Sequence, residues 1–174
     1  METPLDCART VADFLTEKLR EYDEVEQETG KNYEAYAGFL PVRRKAADMK
    51  ENCPFVAVRP VQVVDGKEHS IARMAIFVTT YDEDPRFGSE SLYHLLEFLR
   101  FCLLSGNPVR KKYQIRLEGD SPMETYVPDE QPYPFWEGRM DFAVYLEQPS
   151  NADIVAGLNM WRRQRNERDR KKGR

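Results

Sequence analysis

The sequence predicts an α+β domain: a largely antiparallel sheet of about four to five strands flanked by two main helices, plus a C-terminal helical basic tail. Three observations carry the prediction. Apolar residues recur at three- and four-residue steps near the N-terminus and again after Ser89. In five other segments apolar and polar residues alternate with a period of two. Past Trp161 the chain turns abruptly basic.

The first helix opens with Thr3 as N-cap, Pro4 at the first helical position and Asp6 three residues after the cap. Leu5, Ala8, Ala12, Leu15, Leu19 and Tyr22 form its apolar stripe, so it is expected over about 4–25. Gly30 then breaks the pattern, and Tyr33, Tyr36, Phe39 and Leu40 follow no clear period. Residues 26–52 are therefore read as a long connection holding one short helix near 42–50.

From Pro54 the residues become β-branched. Phe55–Val64 and Ile71–Thr80 read as two strands, and Asp65-Gly66 between them predicts a tight hairpin with positive φ angles. Pro60 has no amide hydrogen for a ladder, which places its strand on an edge or at a bulge.

Ser89 is the expected cap of the second helix, whose buried face is marked by Leu92, Leu95, Leu96, Leu99 and Leu103. Phe98, Phe101 and Cys102 broaden that face, and Gly106 followed by Pro108 ends the helix. Tyr113, Ile115 and Leu117 mark one half-buried strand, and Met123, Thr125 and Val127 a shorter one. The last strand carries Met140, Phe142, Val144 and Leu146 on one side, with Arg139, Asp141 and Tyr145 on the other. Asn151 caps a short final helix with Ile154, Val155, Leu158 and Trp161. The organisation is one α+β domain over 1–149 and a helix with a basic tail over 150–174.

A chain of 174 residues and 20.4 kDa suits one domain that hides about 70% of its extended surface. No apolar run approaches the roughly 18 residues of a membrane span, and the acidic start Met1-Glu2-Thr3 lacks the layout of a signal peptide. The expectation is no membrane partner.

The formal charge of −4 conceals a division. After Trp161 stand eight basic residues, Arg162, Arg163, Arg165, Arg168, Arg170, Lys171, Lys172 and Arg174, against Glu167 and Asp169, a balance of +6 that leaves −10 on residues 1–161. An acidic body with a basic arm points to an anionic partner or an acidic neighbouring subunit. The arm could bind nucleic acid by releasing phosphate counterions. It has no aromatic residue after Trp161, however, and the body would repel a polyanion.

Catalytic patterns are missing: there is no G-x-S-x-G, no phosphate-cradling glycine loop and no H-E-x-x-H. Cys7, Cys53 and Cys102 are scattered and read as small buried residues in a reducing compartment, and with only His69 and His94 besides they suggest no metal site. No cofactor is expected, and the chain reads as a non-enzyme. Asp82, Glu83 and Asp84 could hold a divalent cation, but three acids before a helix read first as a solvated cap. Arg59 reads as an outward-facing edge-strand arginine, and second as a fork for a neighbour's carboxylate. His94 falls on the flank of the leucine stripe. In the segment Gln131–Gly138, two prolines and the aromatics Tyr133, Phe135 and Trp136 make stiff contact area just before a strand, suited to an interface or to closing the core.

The order of these pieces resembles a known family. Pro54-Phe55-Val56 with Arg59-Pro60, a hairpin, Thr80-Tyr81-Asp82-Glu83-Asp84, a helix with Leu95, Glu97 and Leu103, and then Gln131-Pro132-Tyr133-Pro134-Phe135-Trp136-Glu137-Gly138 are similar to the tail-terminator or tail-completion proteins of long-tailed bacteriophages and prophages. The resemblance covers roughly residues 54–149. It implies an antiparallel sheet flanked by helices and a head-to-tail homo-oligomeric ring, typically a hexamer, in the virion neck, assembled in the host bacterial cytoplasm. It further implies a tail-tube protein and a head connector or stopper as partners, with DNA passing through an acidic lumen. Under this resemblance Arg59, Asp82, Glu83, Asp84, Tyr133, Phe135 and Trp136 are candidate interface residues. The basic residues from Arg162 to Lys172 are candidates for an anionic partner. The segment 26–52 and the basic extension depart from the family pattern.

Overall fold

A computed structural model of the protein describes residues 2–26, 33–39, 53–119, 122–148 and 151–172. It is α+β: three helices and a mixed six-stranded sheet among the described residues. The elements in chain order are α1 (Pro4–Glu26), β1 (Ala35–Ala37), β2 (Phe55–Asp65), β3 (Ser70–Tyr81), α2 (Glu90–Ser105), β4 (Ile115–Arg116), β5 (Glu124–Tyr126), β6 (Phe135–Leu146) and α3 (Asn151–Lys172). The sheet runs β1-β2-β3-β6-β4, and β5 pairs with the same outer edge of β6 as β4.

The start of α1 is the reciprocal cap that its sequence implies: Asp6 N donates to Thr3 Oγ1 at 3.1 Å and Thr3 N donates to Asp6 Oδ2 at 3.1 Å. Cys7, Ala8, Val11, Ala12, Leu15 and Leu19 are buried beneath the helix, against β1 and β2. From α2 the buried residues are Leu92, Leu95, Leu96, Leu99, Cys102 and Leu103. Both helices share one core with a single face of the sheet, formed by Val56, Val58, Ala72, Met74, Ile76, Val78, Met140, Phe142, Val144 and Leu146. The alternation read in β6 therefore describes its true faces.

Several expectations need correction. Inside the stretch read as a connection lies β1, parallel to β2 and held by Thr16, whose Oγ1 accepts from Ala35 N at 3.0 Å. Three residues are too few for a period to show. The expected helix near 42–50, like Leu40, lies outside the described residues. The hairpin turn is longer than foreseen: Asp65 pairs with Ser70, the loop spans 66–69, and Gly66 is not among the residues with positive φ. Gly66 is instead placed by close approach, since a Cβ there would stand 3.0 Å from His69 O.

Pro60 fulfils both parts of its reading. Pairing with β1 ends at Val58, so among the described residues β2 is an edge beyond that point, and the register to β3 slips between Pro60 and Gln62. Ser89 occupies the N-cap of α2 without a side-chain cap hydrogen bond. Phe98 is half-buried, but Phe101 is 67% exposed and so does not widen the buried face. Of the run from Tyr113 to Leu117 only Ile115 and Arg116 form a strand, anchored by Asn107, whose Oδ1 accepts from Ile115 N at 2.8 Å. The C-terminal helix α3 runs from Asn151 to Lys172.

Leu99 has no exposure and lies where α2 meets the sheet, so Leu99→Ala should lower unfolding free energy by about 2–5 kcal/mol. Phe101→Ala, on the same helix, should change it by less than about 0.5 kcal/mol. Urea denaturation of the two variants measures the difference.

Candidate functional site

The candidate interface residues Asp82, Glu83 and Asp84 meet Tyr133, Phe135 and Trp136 at one end of the sheet, whereas Arg59, opposite Ala75, lies away from that end. Phe55 pairs with Thr79, and Thr79 with Glu137, so the start of β2, the end of β3 and the start of β6 lie side by side. Asp82 N donates to Pro134 O at 3.1 Å, Tyr133 Oη to Glu83 O at 2.7 Å, and Trp136 Nε1 to Asp82 O at 3.2 Å. The aromatic segment is thus tied to the acidic loop through backbone carbonyls. Phe135 and Trp136 belong to β6 itself, so the strand begins within the aromatic segment and not after it. Trp136 packs against the core and Phe135 stands edge-on to Tyr81 at 5.2 Å, whereas Tyr133 is exposed.

The acids of the loop act mainly on the loop. Asp82 Oδ1 accepts from Asp84 N at 2.8 Å, and Asp84 Oδ1 from Arg86 N at 2.7 Å and Phe87 N at 3.1 Å. Glu83 takes the Tyr81 hydroxyl. These are turn-forming bonds in which a carboxylate replaces a backbone acceptor. They turn the chain tightly: a Cβ on Gly88 would stand 2.5 Å from Asp84 O and 2.8 Å from Trp136 Nε1. Among the described residues no group of three or more His, Cys, Asp or Glu is placed to hold a metal ion.

Behind this loop lies a cavity of about 320 Å³, lined in part by Tyr22, Thr80, Tyr81, Asp82, Glu90 and His94. Tyr22 closes the apolar stripe of α1 and Glu90 opens α2, so the cavity joins residues that the sequence leaves far apart. Thr80, Glu90 and the cavity itself escaped sequence reasoning because only the β3–α2 packing brings them together.

Arg59 lies on the face of the sheet that the helices leave open. Its guanidinium carbon sits 4.3 Å from the Phe39 ring centre and 4.1 Å from that of Phe77, and its Nε is buried without a partner. Burial, and then the neighbouring Arg139, hold its pKa below the ordinary arginine value. It is an edge-strand arginine as expected, but stacked between rings rather than extended into solvent. Arg139 on the same face pairs with Asp141 at 2.8 Å.

Two further surfaces are unfinished. The outer edge of β2 past Val58 has no partner strand among the described residues, and Val61, Val63 and Val64 there are 48%, 42% and 44% exposed. On α3, Val155, Leu158 and Trp161 are also exposed, as are Arg162, Arg163 and Arg165. The side chains of Arg168, Arg170, Lys171 and Lys172 lie outside the description. Among the described residues no helix is long and apolar enough to cross a membrane.

No family model matches this chain. No curated protein matches it. One solved structure, of a protein known by a serial number alone, is similar over 79% of this chain and 97% of its own, at 11% identity and a TM-score of 0.38. A likeness of that size carries no argument about fold or activity.

The three cysteines are buried, as foreseen. Burial, and then Glu2, push the Cys7 thiol up to about 12 from an ordinary 9.0, and burial also raises Cys102. Neither is a poised nucleophile. For a raised thiol the stabilisation is fully present below the unfolded value and is lost as pH rises toward the folded one. The urea midpoint should therefore fall between about pH 9 and 12, by an amount worth a few kcal/mol. Cys7→Ala should remove that part of the decline.

Proposed function

We propose that the protein is a structural subunit of a bacteriophage or prophage neck, a tail terminator or head–tail joining component. It forms a homo-oligomeric ring at the head-proximal end of the tail tube, stops tube polymerisation and docks the head connector. The observation that carries this reading is the edge of β2 past Val58, which has no partner strand among the described residues. A strand with unpaired backbone groups and three half-exposed valines is a template for pairing with another chain. The edge lies across the sheet from the short strands β4 and β5, so the two sides of the subunit are unlike. Unlike sides are what a head-to-tail ring needs, since each copy contacts its neighbours through different patches. The ordered motifs from Pro54 to Gly138 add the resemblance to tail-terminator proteins, and the −10 body supports an acidic lumen through which DNA slides.

A second reading, phosphate binding by the arm, is favoured by the exposure of Arg162, Arg163 and Arg165. Duplex binding that weakens steeply with salt and disappears on truncation after Trp161 would select it.

Native mass spectrometry and light scattering, with and without tail-tube protein, test the first reading. The expected result is a closed ring and capped tubes of fixed length. Burying a half-exposed valine contributes about 1 kcal/mol or more. Val64→Lys should accordingly raise the concentration needed for assembly about tenfold, with an unchanged circular dichroism spectrum. A strict monomer that neither binds nor caps tubes overturns the proposal.

A further inference from the structure

We infer that the cavity behind the Asp82 loop is a socket for an organic cation, a guanidinium or alkylammonium group, and that its occupant is an arginine of the basic arm of a second copy of this chain. At about 320 Å³ the cavity sits at the small end of ligand sites, suited to one side-chain head rather than a cofactor. Four aromatic rings, those of Tyr22, Tyr33, Tyr81 and Phe87, share its wall with the carboxylates Asp82 and Glu90. Ring faces attract cations, and more strongly when the cation leaves water.

Charge selects the sign of the guest. Among the described residues the wall carries two carboxylates and no lysine or arginine, which is −2 with His94 counted as neutral. The start of α2 contributes about half a positive charge, so the described part of the wall stays net negative and favours a cation. Glu17 pairs with Arg110, Glu21 with Lys18, Glu97 with Arg100 and Asp141 with Arg139, whereas neither Asp82 nor Glu90 has a cationic partner among the described residues. A third observation is independent of charge. Thr80, part of the same wall, is only 4% exposed, and its hydroxyl is buried with no hydrogen-bond partner. An N–H donor reaching the cavity floor would supply one.

The most basic segment available is the arm, with +6 after Trp161 against −10 on the body. Six of its eight cations are arginines, and α3, at 22 residues, is about 33 Å long, enough to reach from one subunit to the next. Arginine heads stack on rings and fork onto carboxylates, and the wall offers both. The source of the cation rests on the reading of the chain as an assembly subunit; the chemistry of the cavity does not.

Calorimetry on the full-length protein, with ethylguanidinium chloride and separately with a synthetic peptide of residues 160–172, tests both parts. Saturable binding of both probes is expected, the peptide binding more tightly. Glu90→Gln removes a carboxylate that makes no hydrogen bond or ion pair among the described residues, so the fold should persist by circular dichroism while affinity drops about tenfold. Thr80→Val should weaken both probes without destabilising the free protein. Failure of both probes to bind, or equal affinity in Glu90→Gln, overturns the socket. Binding of ethylguanidinium without the peptide overturns the arm as its source. A protein that rings and caps tubes yet binds neither probe would retain the assembly function and lose the socket, while a monomer that binds both would do the reverse.

Discussion

The rest of the structure depends on the position of β3. It pairs with β6 along its whole length, from Ser70 to Tyr81, and with β2 on the other side from Ser70 to Thr79. Its helix-side residues Ala72, Met74, Ile76 and Val78 are buried under α1 and α2. Every backbone group of such a strand is committed to a neighbour, and its side chains carry the centre of the core. The chain before β3 and the chain after β6 can each vary only by what they add to the two sides of this three-stranded unit.

That arrangement has a cost, because two helices cover one face only. On the other face the middle is lined with small residues, Ala57, Ala75 and Ala143, all without exposure, while Arg59, Phe77 and Arg139 stack above. The stacked guanidinium gives up hydration for ring contact, which is why burial lowers its pKa. The edges are treated unequally. Along β6 the outer groups are taken by β4, β5 and the side chain of Gln131, whose Oε1 accepts from Glu137 N at 2.6 Å. Along β2, only Val56, Ala57 and Val58 are matched by β1. Among the described residues one edge is thus guarded and the other left open, which gives the sheet a direction.

The sequence disclosed whatever depends on local period. Thr3 and Asp6 make the cap that their spacing implies, the leucines of α2 point where a 3.6-residue turn sends them, and Met140 to Leu146 alternate as written. What stayed hidden depends on partners distant in the chain. Three residues of β1 become a strand only because Thr16 and Val58 offer hydrogen bonds. Phe101 looks like core by composition, but helical spacing sets it opposite Leu92, Leu99 and Leu103, on the solvent side of α2. At the candidate site, Asp82, Tyr133 and Trp136 could be singled out by residue type, whereas Thr80 and Glu90 matter only through register and helix placement.

The motif order behind the family resemblance has a physical location. Pro54-Phe55-Val56 opens β2, Thr80 to Asp84 closes β3, and Gln131 to Gly138 opens β6, so pieces scattered over some 85 positions mark the same end of three adjacent strands. Packing explains part of each piece. Gly138 leaves room for Leu96, since a Cβ there would stand 2.6 Å from its Cδ1, and Trp136 closes the core while bonding Asp82 O. Packing does not explain Tyr133, which holds Glu83 O from an exposed position, nor Asp82 and Glu90, which line the cavity beside the aromatic rings with no cationic partner among the described residues. Stability alone would favour an apolar or self-paired lining at such a spot. A rigid strand end that keeps unpaired charge beside aromatic rings is better suited to receiving a partner's side chain than to finishing a core.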